Sequence, residues 1–189
     1  TDRLLLDGRV SPTGHEVTLF ASGDSKTKAR LVAASELGLR LDPEAADYNP
    51  YNILQLEQVM QEAEAFDIIH FHTDYPHFPL SRRLQTANVT TFHGRVDLPD
   101  LVPMFREFSD TPVISISNSQ KQPLPWMNWQ DTVYHGLPID LYRQGNGEGG
   151  YVAFLGRICP EKRLDRAIEI AKRTNIKLKV ASKVDAADQ

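Results

Sequence analysis

Short apolar strands alternating with helical segments place this chain in the α/β class, a Rossmann-like parallel sheet with flanking helices. Three observations carry that expectation. Apolar runs at 67–72, 87–94 and 112–118 are separated by segments with helix-start or helical character. A break with four glycines and no apolar residue, RQGNGEGG, occupies 143–150. Beyond it, 151–182 reads as one complete strand–helix–strand unit.

The elements follow in order. GHEVTLFAS (14–22) is a short strand, led in by Gly14 and closed by a Gly23-Asp24-Ser25 turn. Residues 26–42 are mixed, with Leu37, Leu39 and Leu41 alternating. Asn52 to Ala65 has Ile53, Leu56, Val59, Met60 and Ala63 at helical spacing, after an Asn49-Pro50 start. DIIHFH (67–72) is a strand, PLSRRL begins a short helix, ANVTTFHG (87–94) is a strand, and Leu101–Phe108 is helical. PVISISN (112–118) and TVYHGLP (132–138) are the next two strands. After the glycine-rich break come a strand at 151–156, a helix at 160–173 and a strand at 177–182.

Composition bounds the function. A chain of 189 residues with 41% apolar and 24% charged residues can bury one sizeable core. A formal charge of −4 offers no general attraction to nucleic acid, so any anion site must be local. No apolar run reaches the roughly 20 residues of a membrane span, which leaves peripheral membrane contact open. Cys159 is the single cysteine, so no intrachain disulfide can form, and a cytoplasmic setting fits.

The richest segment is YVAFLGRICPEKRLDRAIEIAK, 151–172. Gly156 would let the backbone turn at a strand end, and Pro160 suits a first helical position. Arg157 and Lys162 then flank a helix N-terminus, with Glu161 between them in the same turn. Such a place suits phosphate, because free N–H groups and the helix dipole favour anions. The same residues would equally suit a solvated strand-to-helix loop. A second candidate is His93 in TTFHG, where Gly94 permits a tight exit and Arg95 and Asp97 follow. There the imidazole would meet a phosphate or sugar hydroxyl, or simply end a strand. Ser115, Ser117, Asn118, Ser119 and Gln120 form a polar run that could bind a sugar or cap a helix. Trp126 and Trp129, in a proline-stiffened loop, suit core packing or stacking on a sugar.

Two resemblances bear on these residues. His70-x-His72-x-Asp74, with His77 beyond, resembles the metal motif of metallo-β-lactamase-fold hydrolases, although Tyr75 and Pro76 intervene where that motif needs a histidine. More of the chain is covered by another likeness. GHEVTLFASGDS, FDIIHFHTDYPHFPLSRR, TTFHGRVDLPDL, PVISISNSQKQPLPWMNW, TVYHGLPIDLY and YVAFLGRICPEKRLDRAIEIAKR together resemble a GT4-type retaining glycosyltransferase of the GT-B fold.

That resemblance implies two Rossmann-like domains. Residues 1–142 would be an incomplete acceptor-side domain, 143–150 a linker, and 151–189 the first βαβ unit of the donor-binding domain. It implies transfer of a sugar from a nucleotide-diphosphate sugar to an acceptor, with retention and with no metal or other cofactor. Arg157 and Lys162 would grip the diphosphate and His93 would lie near the transferred sugar. Gly94, Arg95, Ser117, Gly156 and Glu161 would line the substrate. The family's glycine-rich loop and its E-x7-E segment are not in this sequence, so the chain is expected to be truncated at both ends and inactive alone. A non-catalytic sugar- or nucleotide-binding domain and a sugar-nucleotide 2-epimerase of the same fold are the competing readings.

Overall fold

The computed structural model describes residues 14–137 and 141–183. The chain divides into two units, residues 1–137 and 138–189.

In the first unit, β1 (Thr18–Phe20) and β2 (Arg30–Val32) pair in parallel. The Arg30 guanidinium bonds both carboxylate oxygens of Glu62, near the end of α1 (Asn49–Glu62). A four-stranded sheet follows, made of β3 (Ile68–Phe71), β4 (Ala87–Thr91), β5 (Val113–Ser115) and β6 (Trp129–Thr132). Its strands are all parallel and neighbour one another in sequence order. Parallel neighbours need crossovers. The short helices α2 (Phe78–Ser81), α3 (Val102–Glu107) and α4 (Asn118–Lys121) lie within them.

Register decides the core. Phe71 lies opposite Thr90, and Thr90 opposite Val113. Alternation then puts Ile69, Phe71, Thr90, Val113 and Ser115 on one face, and all five are buried. Leu56, Val59 and Ala63 close over Ile69 and Phe71. Phe78, Phe92, Phe105, Val113, Leu124 and Met127 form the second cluster. The opposite face carries Ile68 and His70, both exposed.

Several expected boundaries move. β2 falls within the mixed segment 26–42, ahead of the alternating Leu37, Leu39 and Leu41; its three residues are too few to show a period. The expected strand 132–138 is displaced to 129–132, because Trp129 is drawn inward. Its indole N–H donates to the Leu124 carbonyl at 2.8 Å and its ring meets Phe92 edge-on at 5.8 Å. Val133 and Tyr134, which made the later register look apolar, are exposed. The strand at 112–118 stops at Ser115, since Ser117 caps α4 by accepting from the Gln120 N–H.

The second unit pairs β7 (Tyr151–Leu155) in parallel with β8 (Lys177–Ala181), joined through α5 (Leu164–Thr174). α5 does not start at Pro160 as expected. Pro160–Lys162 form a 3₁₀ turn, and Arg163 at φ 54° is left-handed, so the α-helix begins only at Leu164. The helix ends on Asn175, again left-handed, whose N–H returns to the Ala171 and Lys172 carbonyls.

Candidate functional site

Each unit presents polar side chains at the carboxyl ends of its parallel strands, where open α/β sheets hold ligands. In the first unit that end is built from histidines. His70 on β3, His72 just beyond it, His93 beyond β4 and His135 beyond β6 form a row of imidazoles. Ring centroids lie 4.2 Å apart for His70–His72, 5.1 Å for His72–His93 and 5.4 Å for His93–His135. His72 Nδ1 and His93 Nε2 share a 2.8 Å hydrogen bond, and His70 Nε2 bonds the Thr91 hydroxyl at 2.7 Å. Desolvation lowers the His70 pKa below the ordinary histidine value, and the charge of His93 lowers it further.

The turn that carries His93 is held from two sides. Asp74, itself at φ 54°, accepts from the His93 N–H at 3.1 Å and the Gly94 N–H at 3.4 Å. Gln120 Nε2 donates to the Phe92 and Gly94 carbonyls at 3.3 and 2.9 Å, while its Oε1 accepts from the Ile116 N–H at 2.9 Å. Gly94 is not left-handed, and a Cβ there would meet Asp74 Oδ2 at 3.4 Å. Arg95 turns its guanidinium onto Asp97 in a two-pronged pair at 2.8 Å, which lowers the Asp97 pKa. Ser117 is committed to its cap.

His77 does not join this row. It is fully buried, stacked on Phe71 at 3.7 Å, with Nδ1 bonded to the Ser81 hydroxyl at 2.9 Å and Nε2 to the Thr90 hydroxyl at 3.0 Å. Burial pushes its pKa down to about 4. Both nitrogens are occupied on the core side of the sheet, so the His70, His72, Asp74 and His77 set expected from the hydrolase motif does not converge. Among the described residues no group of three or more His, Cys, Asp or Glu is arranged to hold a metal ion.

In the second unit an open hollow of about 400 Å³ is lined by Leu155, Gly156, Arg157, Ala181, Ser182 and Lys183. Main-chain bonds fix its floor. The Gly156 N–H donates to Ala181 O at 3.2 Å and the Ile158 N–H to Lys183 O at 3.0 Å, so Arg157 is anchored on both sides. Gly156 is not left-handed either, and a Cβ there would meet Lys162 Cγ at an ordinary 3.8 Å. Its expected turning role is not required; the stem of Lys162 passes beside it. Cys159 precedes the 3₁₀ turn in extended conformation and provides no side-chain cap. Glu161 and Lys162 are exposed within that turn. Arg163, next in line, forks onto Asp165 at 3.0 and 2.7 Å and holds its carboxyl at about 2.

Sequence spacing brought out His93, Arg157 and Lys162 but not Asp74, Gln120 or His135 as their supports. Asp74 and Gln120 lie 19 or more residues from the His93 turn, and local pattern carries no signal for such a bond.

A parallel sheet with its helices in the crossovers and polar side chains at the strands' carboxyl ends defines a Rossmann-like α/β protein. The family model for Glycosyltransferase Family 4 matches residues 9–129, and the chain belongs to that family. Comparison with curated proteins finds no match. No helix among the described residues is long and apolar enough to cross a membrane.

Proposed function

We propose that the protein is a retaining glycosyltransferase that moves a sugar from a nucleotide-diphosphate sugar to an acceptor. The first unit supplies the acceptor side and the second contributes to the donor side. The observation that carries this reading is the anchored Arg157 at the carboxyl end of β7, with the Lys162 stem beside Gly156. Charge supports it: residues 151–183 hold nine Lys and Arg against three Asp and Glu, although the whole chain is acidic. A departing diphosphate needs fixed positive charge, and fixed cations at a strand end supply it without reorganisation. Arg157 would take two phosphate oxygens in a fork, and Lys162 would add a mobile point charge. The scheme needs no metal or other cofactor. His93, with Gly94, Arg95 and Ser117, would face the sugar.

Calorimetry of the 189-residue chain with UDP, GDP and ADP tests the grip. Arg157→Ala and Lys162→Ala should each weaken the nucleotide that binds by roughly 10- to 100-fold, the range for one charge-assisted hydrogen bond. Affinities that both substitutions leave intact would remove these residues from the site.

A further inference from the structure

The bond between His72 and His93 constrains both rings in a way that neither side chain would show alone. At 2.8 Å from Nδ1 to Nε2, one nitrogen must carry the hydrogen and the other must offer a lone pair. Two neutral imidazoles satisfy this. So does a pair carrying one extra proton, and the bond is then charge-assisted and stronger. Two cationic rings cannot, since both facing nitrogens would be donors.

We propose that His72 and His93 titrate as one proton-sharing pair, in which His72 is a positioning residue that fixes the tautomer and charge His93 presents to its ligand. The significance for sugar transfer rests on the reading of His93 given above; the pairing itself does not.

The surroundings favour the singly protonated pair. His70, from β3, lies tilted against His72 at 4.2 Å, and His135, following β6, stacks on His93 at 5.4 Å. A second proton would place two cationic rings across the 2.8 Å contact and abolish the shared bond. The Asp74 carboxylate, bonded to the His93 and Gly94 N–H groups, favours the first. Arg95 faces the same turn with its charge balanced by Asp97. Thr91 and Gln120 add neutral groups. The His70 pKa is lowered first by desolvation and then by the charge of His93. On lowering the pH, the pair accepts its first proton readily and its second only well below the ordinary histidine range.

The test is an NMR titration of the full chain carrying ¹³C-labelled histidine, from pH 4 to pH 9. Expected for the native protein is a two-step curve at both His72 and His93, with steps separated by at least about one pH unit. His72→Phe keeps the stack but deletes the nitrogen, so His93 should lose its lower step and titrate once. His72→Asn restores a hydrogen-bonding partner without a titrating ring. It should return His93 to a single dominant tautomer, read from its ring carbon shifts. A single ordinary step at His93 in the native protein, unmoved in His72→Phe, overturns the proposal. If His72→Phe does not fold, the native curve and His72→Asn decide. Adding UDP, GDP and ADP separates the two readings. Coupled titration without nucleotide binding sinks the diphosphate grip alone, and nucleotide binding with an independent His93 sinks the pair alone.

Discussion

The carboxyl ends of the four-stranded sheet and of the β7–β8 pair are built on opposite principles. In the first unit the His93 turn rests on a buried aromatic core and is held by hydrogen bonds reaching from Asp74 and Gln120. In the second, Arg157 is held by main-chain pairing to the continuation of β8, and several apolar side chains of the unit stay open to solvent. Leu155 is 87% exposed and Ile170 57%. The lesson is about which substitutions report function. Changes beneath the first site act through stability, whereas the cations of the second can be removed with little effect on packing.

The largest expected effect measures that contrast directly. Phe105 is fully buried among Phe78, Phe92 and Tyr75. Phe105→Ala should cost about 3–5 kcal/mol, as for other deleted core aromatics. Both tryptophans lie in the first unit, so urea unfolding followed by their fluorescence reports it. Ile170→Ala, an exposed position, should stay within about 0.5 kcal/mol by amide exchange in α5 and β8. Equal costs at the two sites would erase the distinction between a core-backed and an open site.

The same contrast explains what the sequence could reveal. Where a segment packs by its own period, as α1 does through Leu56 and Val59, the pattern was legible. β3, which alternates exposed and buried residues, was legible for the same reason. β6 was misplaced because a tertiary contact, Trp129 on Phe92, outweighs the apolar look of Val133 and Tyr134. At the first site His93, Gly94, Arg95 and Ser117 could be singled out, but not the bonds from Asp74 and Gln120 that hold the His93 turn, since these reach from distant loops. At the second, Arg157 and Lys162 were visible from local order alone, but the left-handed Arg163 was not. Nothing about an arginine signals positive φ.

The next effect in size is pH-dependent and belongs to the first unit. His77 has a pKa of about 4 when folded and about 6.5 when unfolded, so the unfolded chain binds more protons between those values. Its contribution is complete above pH 6.5 and is lost as the pH falls toward 4, amounting to about 3 kcal/mol. His77→Gln keeps hydrogen-bonding atoms near Ser81 and Thr90 but cannot titrate. The difference between its urea stability and that of the native chain should therefore shrink as the pH falls through this window. A difference that stays constant from pH 7 to pH 4 would mean that His77 is not held neutral.

The smallest effect probes the second unit, where side-chain packing contributes little and backbone conformation should dominate. Arg163 occupies the left-handed region at φ 54°, which costs a non-glycine residue about 1–2 kcal/mol. Its two-pronged pair with Asp165 is solvent-exposed and offsets little of that. Glycine removes the steric cost but carries more unfolded-state freedom, worth about 0.5–1 kcal/mol. Alanine removes the pair and keeps the steric cost. Arg163→Gly should therefore be the more stable of the two variants by roughly 0.5–1 kcal/mol, read from amide exchange along α5. Because Arg163 directly follows Lys162, the pair also checks the nucleotide site. If glycine and alanine weaken UDP, GDP or ADP binding to the same small degree, the 3₁₀ turn keeps its shape and Lys162 acts as a point charge. A selective loss in the glycine variant would show instead that the left-handed arginine stiffens the turn that presents Lys162.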